Sequence, residues 1–138
     1  MMSVELAVQI ALRARFTSTP AVSALVPANH ILDRNARPAP DPSIILGEDQ
    51  TVDDGNSVKR DRHLVYSTIH LWKREASTAG VKAIAWAMRN ALRAGRLNLG
   101  SSFHCVDCRV SSQRFMRDPD GETSHGVLTI ETLAEEVA

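Results

Sequence analysis

The stretch from Arg62 to Arg74, RHLVYSTIHLWKR, constrains this chain more than any other. Its side chains alternate, so Leu64, Tyr66, Thr68, His70 and Trp72 share one face, while Val65, Ser67, Ile69 and Leu71 share the other. A period of two over that length reads as a strand. The next segment changes period. Ser77 or Thr78 is placed to cap a helix in which Val81, Ile84, Ala85, Met88 and Leu92 form one apolar stripe. Gly95 fits the position just past its end, and Arg93 and Arg96 sit near its negative pole.

Two more strands follow, FHCVDCRVSSQRFMRD and HGVLTIETLAEE, joined by DPDGETS. Ahead of the central strand, Ser3 and Glu5 suit a helix start, and Val4, Val8, Ala11 and Leu12 lie on one face of a helix running to about Phe16. TSTP breaks it, AVSALV makes a short turn before Pro27, and HILD and SIILGE read as strands. Between those two, RNARPAPDP holds three prolines in nine residues and reads as extended chain. Residues 47–61, GEDQTVDDGNSVKRD, are polar throughout with Asp-Gly and Gly-Asn turn signals. They read as a long hairpin connection without structure of its own, and such loops are usually functional or disordered. The element order predicts an α+β fold: a mostly antiparallel sheet of about four strands, two main helices packed on it, and a long hairpin loop, all in one domain over residues 1–138.

Sixteen basic residues balance sixteen acidic ones. That argues against general affinity for nucleic acid or anionic membrane, and it leaves little repulsion between copies. No run approaches the roughly 18 apolar residues of a membrane span. The opening MMSVELAVQIALRARF is interrupted by Glu5, Gln9 and Arg13, so it reads as a helix and not as a signal peptide. The two cysteines are expected to be thiols.

Some residues look like chemistry. His104, Cys105 and Cys108 form His-Cys-x-x-Cys, but three residues of straight strand put the two thiols on opposite faces. His63 and His70, seven apart, also diverge. A redox Cys-x-x-Cys needs a helix N-terminus, which this β pattern does not offer. The expectation is that one cysteine packs in the core and the other borders it. Asp118 and Asp120 in DPDGET resemble a phosphatase or calcium motif, yet Glu122 interrupts the first and Thr129 stands where the second needs Glu. A turn explains the letters better: Pro119 presets φ, Asp118 bonds the turn backbone, and Gly121 supplies positive φ. No catalytic motif, metal or cofactor is expected. A small zinc-dependent or phosphatase-like enzyme using His104, Cys105, Cys108, Asp118 and Asp120 is the reading of another class, and metal analysis separates it.

Trp86 falls off the apolar stripe of its helix, on a flank with Lys82, Arg89 and Arg93. It either covers an edge of its own domain or anchors an interface, since exposed Trp and Arg are enriched at binding hot spots.

Taken together, the segments SVELAVQIALRARF through VSALV, ILDRNARPAPDPSIILGEDQ, HLVYSTIHLWKREASTAGVKAIAWAMRNAL and RFMRDPDGETSHGVLTIETLAEE resemble a known family over nearly the whole chain. The most specific piece is Arg117-Asp118-Pro119-Asp120-Gly121, with His125-Gly126-Val127 closing the turn. The chain resembles the tail-completion, or tail-terminator, proteins of tailed phages, related to tail-to-head joining proteins and found also in gene transfer agents. The resemblance implies a structural virion protein without catalysis or cofactor, assembled in the host bacterial cytoplasm. It implies a ring of identical copies, usually hexameric, that caps the tail tube and joins it to the connector and adaptor proteins of the head. DNA would pass through the ring without specific binding, and no membrane is involved. A head-completion or adaptor protein of the neck is the nearest alternative. The interface residues expected in such a part are Trp86, Arg89 and Arg93 on the helix, and the polar loop with Glu48, Asp49, Asp53 and Asp54 in its first half and Lys59 and Arg60 in its second. That loop is expected to dock on the tube or neck, or to line the channel with its acidic half.

Overall fold

Ser3 opens the first helix, its Oγ accepting a 3.3 Å hydrogen bond from the Leu6 N–H, as Glu5 sits in the positive first turn. The computed structural model describes residues 2–33 and 39–137. Helix α1 spans Val4–Ser18, Pro20 starts the single turn of α2 (Pro20–Ser23), and a 3-10 turn at Ala28–His30 leads into β1 (Ile31–Leu32). Strands β2 (Ser43–Asp53) and β3 (Arg62–Arg74), helix α3 (Ala79–Arg93), and strands β4 (Phe103–Arg117) and β5 (Thr123–Glu136) complete the chain. The five strands form one sheet in the order β1-β2-β3-β5-β4.

The α+β expectation holds, but the sheet has five strands and is mixed. Ile31 and Leu32 pair parallel with Ile44 and Ile45. Ten residues, 33–42, separate the two strands, more than a tight turn uses, so nothing forces that pair to be antiparallel. Five residues of the proline-rich stretch, 34–38, lie outside the described residues.

The polar stretch 47–61 is also not the open loop its composition suggests. Strand β2 continues through Asp53, with Asp49 opposite Ser67, Thr51 opposite Val65 and Asp53 opposite His63. The alternation of β3 supplies a partner ladder, and the backbone pairs although β2 has no alternation of its own. A bulge between Leu46 and Asp49 absorbs the change from buried to exposed side chains.

Helices α1 and α3 cover one face of the sheet. Phe16, Leu12 and Val8 from α1 and Ile84 and Met88 from α3 meet Val65, Ile69 and Leu71 of β3 and Leu128 and Ile130 of β5. Each such fully buried side chain contributes roughly 1.5–3 kcal/mol. The division of β3 into two faces is therefore real, and Val65, Ser67, Ile69 and Leu71 are the buried set. The opposite face, with Leu64, Tyr66, Thr68, His70 and Trp72, is half-exposed.

Both ends of α3 are held from a distance. Its first amides are capped by Glu75, whose carboxylate accepts from Gly80 N (2.8 Å), Val81 N (3.1 Å) and Ser124 Oγ (2.7 Å). Ser77 only receives the Ala79 N–H, and Thr78 makes no side-chain cap bond. At the other end the Arg15 guanidinium of α1 donates to the carbonyls of Ala91 (2.7 Å), Gly95 (3.1 Å) and Arg96 (2.9 Å). Gly95 follows the helix as expected but is not among the residues with positive φ, so Arg15 serves where a left-handed glycine would otherwise close the helix.

Candidate protein interface

Helical phase alone places Trp86 outside the apolar stripe, and there it stands, 59 % exposed. The Arg89 guanidinium lies 4.9 Å from the Trp86 ring centre, a cation–π contact that holds both side chains on the flank. Arg93, one turn on, is exposed too. Beyond it α3 faces β4 across a groove of about 550 Å³ lined by Arg89, Arg93 and Arg96 on one side and the backbone and side chains of Cys105–Val110 on the other. Arg96 bonds His104 at 3.0 Å, and Arg109 pairs with Glu131 at 3.1 Å. Neither Arg89 nor Arg93 has a carboxylate within ion-pair distance among the described residues. Arg96 and Arg109 were not among the expected interface residues. The spacing of Arg89 and Arg93 on the helix, with Arg96 just past its end, was a usable signal, whereas their position beside β4 required the fold.

Toward the opposite edge of the sheet, Glu48, Asp49 and Asp53 belong to β2, and only residues 54–61 form the hairpin tip. Glu48, Asp49 and Asp53 are exposed, and Thr51 donates a 2.7 Å hydrogen bond to Glu5 of α1. Partial burial raises the Asp49 carboxyl above its ordinary range, and the charges of Glu5 and Glu48 add to the effect. The tip is knitted to itself. Gly55 N donates to Asp53 Oδ1 (2.7 Å), Ser57 Oγ to Asp61 Oδ1 (2.6 Å), and Arg62 lies 3.3 Å from Asp54. Arg60 takes a positive φ of 55° and reaches Asp53 at 3.6 Å. Lys59 is exposed beside Val58, which is 99 % exposed.

The chemical-looking residues do not form a reactive centre. Cys105 is buried and Cys108 borders the core, as expected. The premise of opposite faces fails, however. A bulge between Cys105 and Asp107 lets Cys105 pair with Ala134 and Cys108 with Thr132, both buried positions on the helix side. Burial raises both thiols, that of Cys108 to about 11, so neither is a thiolate at neutral pH. Among the described residues no group of three His, Cys, Asp or Glu side chains is placed to hold a metal ion. Asp118 and Asp120 build the expected turn. Gly121, at φ +73°, donates to the Asp118 carbonyl, and Asp120 accepts from the amides of Glu122 (2.8 Å) and Thr123 (2.9 Å). Those bonds hold the Asp120 carboxyl below its ordinary range.

A histidine pair escaped the sequence reading. His70 and His125 meet at 3.0 Å on the open face, and His125 stacks on Trp72 at 3.7 Å between ring centres. Burial, then the neighbouring His70, lowers the His125 pKa. His63 is separate and bonds Glu136 at 2.9 Å.

The charged flank of α3 and the exposed hairpin tip are surfaces of the kind that contact other proteins. The family model described as "Tail completion protein gp17" matches residues 10–135, and the chain belongs to that family of structural phage proteins. Its fold is similar to that of a chain from the virion of a native gene transfer agent particle, with a TM-score of 0.82 and 20 % identity, covering 98 % of this chain and 99 % of that one. It is also similar to the gp17 protein of bacteriophage SPP1, with a TM-score of 0.62 and 18 % identity, covering 93 % and 88 %. No curated protein matches the chain.

Proposed function

We propose that this chain forms a closed, hexameric ring that ends the tail tube of a phage or phage-like particle and joins it to the head connector. The family match over residues 10–135 carries the reading, because it takes in nearly the whole domain and names a tail-completion role. That description favours the tail end of the neck over an adaptor nearer the capsid. The balanced charge fits a ring through which DNA passes without being held. The hairpin tip, with Val58, Lys59 and Arg60 exposed beyond the sheet, is the part we assign to docking on the tail tube protein or the adjoining neck ring.

The test replaces residues 54–61 with a short Gly-Ser turn. Strands β2 and β3 pair without the tip, so subunits fold and rings form, while particles carry unjoined or overlong tails. Normal particles from that variant would remove the docking role. A count of only one or two copies per tail, by quantitative mass spectrometry of particles, would remove the ring.

A further inference from the structure

We infer that neighbouring copies join edge to edge into one continuous sheet, the acidic free edge of β2 in one copy lying along β4 and the arginine groove of the next. This deepens the ring reading and rests on it.

Both edges are open. Strand β4 is 15 residues long and, among the described residues, pairs only with β5. Strand β1 covers only Ile44 and Ile45 of β2, so among the described residues the outer side of 46–53 has no partner strand. Long free edges invite another strand, and proteins normally block them.

The two edges match in level and in side. Following the pairing across the sheet, Asp49 is in register with Ser67, Ile130 and Val110. Thr51 lines up with Val65, Thr132 and Cys108, and Asp53 with His63, Ala134 and Cys105. The acidic segment 49–53 therefore sits level with residues 105–110, which form the floor of the arginine groove. Ser67, Ile130, Thr132 and Ala134 are buried under the helices, which puts Asp49 and Thr51 on the helix side. The Thr51 bond to Glu5 of α1 agrees. Arg89 and Arg93 of α3, and Arg96 just past its end, line the groove on that same side.

Direction selects the symmetry. Each neighbouring pair from β2 through β3 and β5 to β4 is antiparallel, so β2 and β4 run in opposite senses. Rotation about an axis along the strands preserves those senses, and the next copy's β2 meets β4 antiparallel. A two-fold dimer would set β2 against β2 or β4 against β4, with like charges facing. The head-to-tail contact sets acid against arginine and can close into a ring. It also gives Asp49, crowded by Glu5 and Glu48, a cationic neighbour. Among the described residues Asp107 is the one carboxylate lining the groove, and Asp53 already reaches Arg60.

The test is a charge swap in the full chain. One variant carries Asp49→Lys with Asp53→Lys, and the other carries Arg89→Glu with Arg93→Glu. Because Asp53 also supports the hairpin turn, Asp49→Lys alone is the second form of the acidic variant, and circular dichroism checks folding. Assembly is read by sedimentation velocity and by tail length in particles. Like charges across a contact are strongly unfavourable, so the concentration for half-assembly rises at least about tenfold for either variant alone. An equal mixture restores assembly, because alternating copies pair lysine with glutamate and aspartate with arginine. Variants that each assemble like the wild type, or a mixture that stays unassembled, would overturn the contact while leaving the ring standing. Wild-type protein that forms no ring in solution or on tails would overturn the ring reading and this contact with it.

Discussion

Replacing Trp86 with alanine separates the interface from the monomer. Trp86 is 59 % exposed, so more than half of its surface is free to be covered by a neighbour. A tryptophan buries up to about 250 Å², which leaves about 150 Å² available to a contact. At about 25 cal/mol per Å², full coverage contributes about 4 kcal/mol at most. Ordering costs reduce this, and central aromatic anchors typically cost about 2 kcal/mol or more on truncation. Arg89 already stacks on the ring in the isolated subunit, so little further ordering of that pair is needed. Trp86→Ala should therefore weaken the subunit contact by about 2–4 kcal/mol, a rise of roughly 30-fold to several hundred-fold in its dissociation constant. The monomer should hardly change. Alanine is the better helix former, and an exposed side chain far from the core usually shifts unfolding by less than about 0.5 kcal/mol. Sedimentation velocity measures the first quantity and urea unfolding followed by circular dichroism the second. Unchanged assembly would place Trp86 outside the contact. A loss of more than about 1 kcal/mol in monomer stability would mean that Trp86 covers an edge of its own domain.

Arg15→Met should cost about 2 kcal/mol, because three carbonyls at the end of α3 lose a charged donor, and it should lower Tm by about 4–8 °C in calorimetry; an unshifted Tm refutes the clamp. Glu75→Gln should cost about 1 kcal/mol at neutral pH by weakening the α3 cap. Partial burial raises the Glu75 carboxyl, but bonds from Ser124, Gly80 and Val81 and the charge of Lys73 outweigh it and hold it below its ordinary 4.5. The wild-type advantage is thus complete above about pH 4.5 and fades as pH falls through the lowered folded value; an advantage independent of pH between 7 and 3 contradicts this. Cys105 should resist a thiol reagent in native protein at pH 7 and react fully in urea, and rapid native labelling of it would contradict its burial; Cys108, half-buried with its thiol raised to about 11, should react slowly.

Much of the core was readable because period-two and helical spacing report burial directly. Both faces of β3 follow from Leu64 through Trp72, and the exposure of Trp86 follows from its phase against Val81, Ile84 and Met88. Which face of β3 the helices choose did not follow, since both are partly apolar. Residues 49–53 looked like loop because Asp49 and Asp53 carry no β signature; their ladder is provided by β3. The bulge beside Val106 reversed the geometry assumed for Cys105 and Cys108, and a bulge leaves no mark in residue types. Arg15 and Glu75 cap α3 from other elements, so no local pattern could point to them. The arginine groove needed α3 and β4 side by side. Its helix half was visible in the spacing of Arg89 and Arg93, with Arg96 just past the helix end, and its strand half was not.

The order of the sheet also sets an order of events when the chain folds. Strands β2 and β3 are hairpin neighbours, and so are β4 and β5, each pair closing over a short turn. The seam between β3 and β5 joins residues such as Ile69 and Leu128, with all of α3 and β4 lying between them. Closing a loop of that length costs roughly 3–4 kcal/mol before any seam contact forms. The two hairpins should therefore appear first and the seam last, with α3 docking as it closes. Pulsed hydrogen exchange would show this as early protection of the Val52 and Arg109 amides, which face their hairpin partners Leu64 and Glu131, and late protection of those at the seam. Until the seam closes, the chain carries two separate ribbons with four unpaired edges, so newly made subunits are most prone to clump before they have a core.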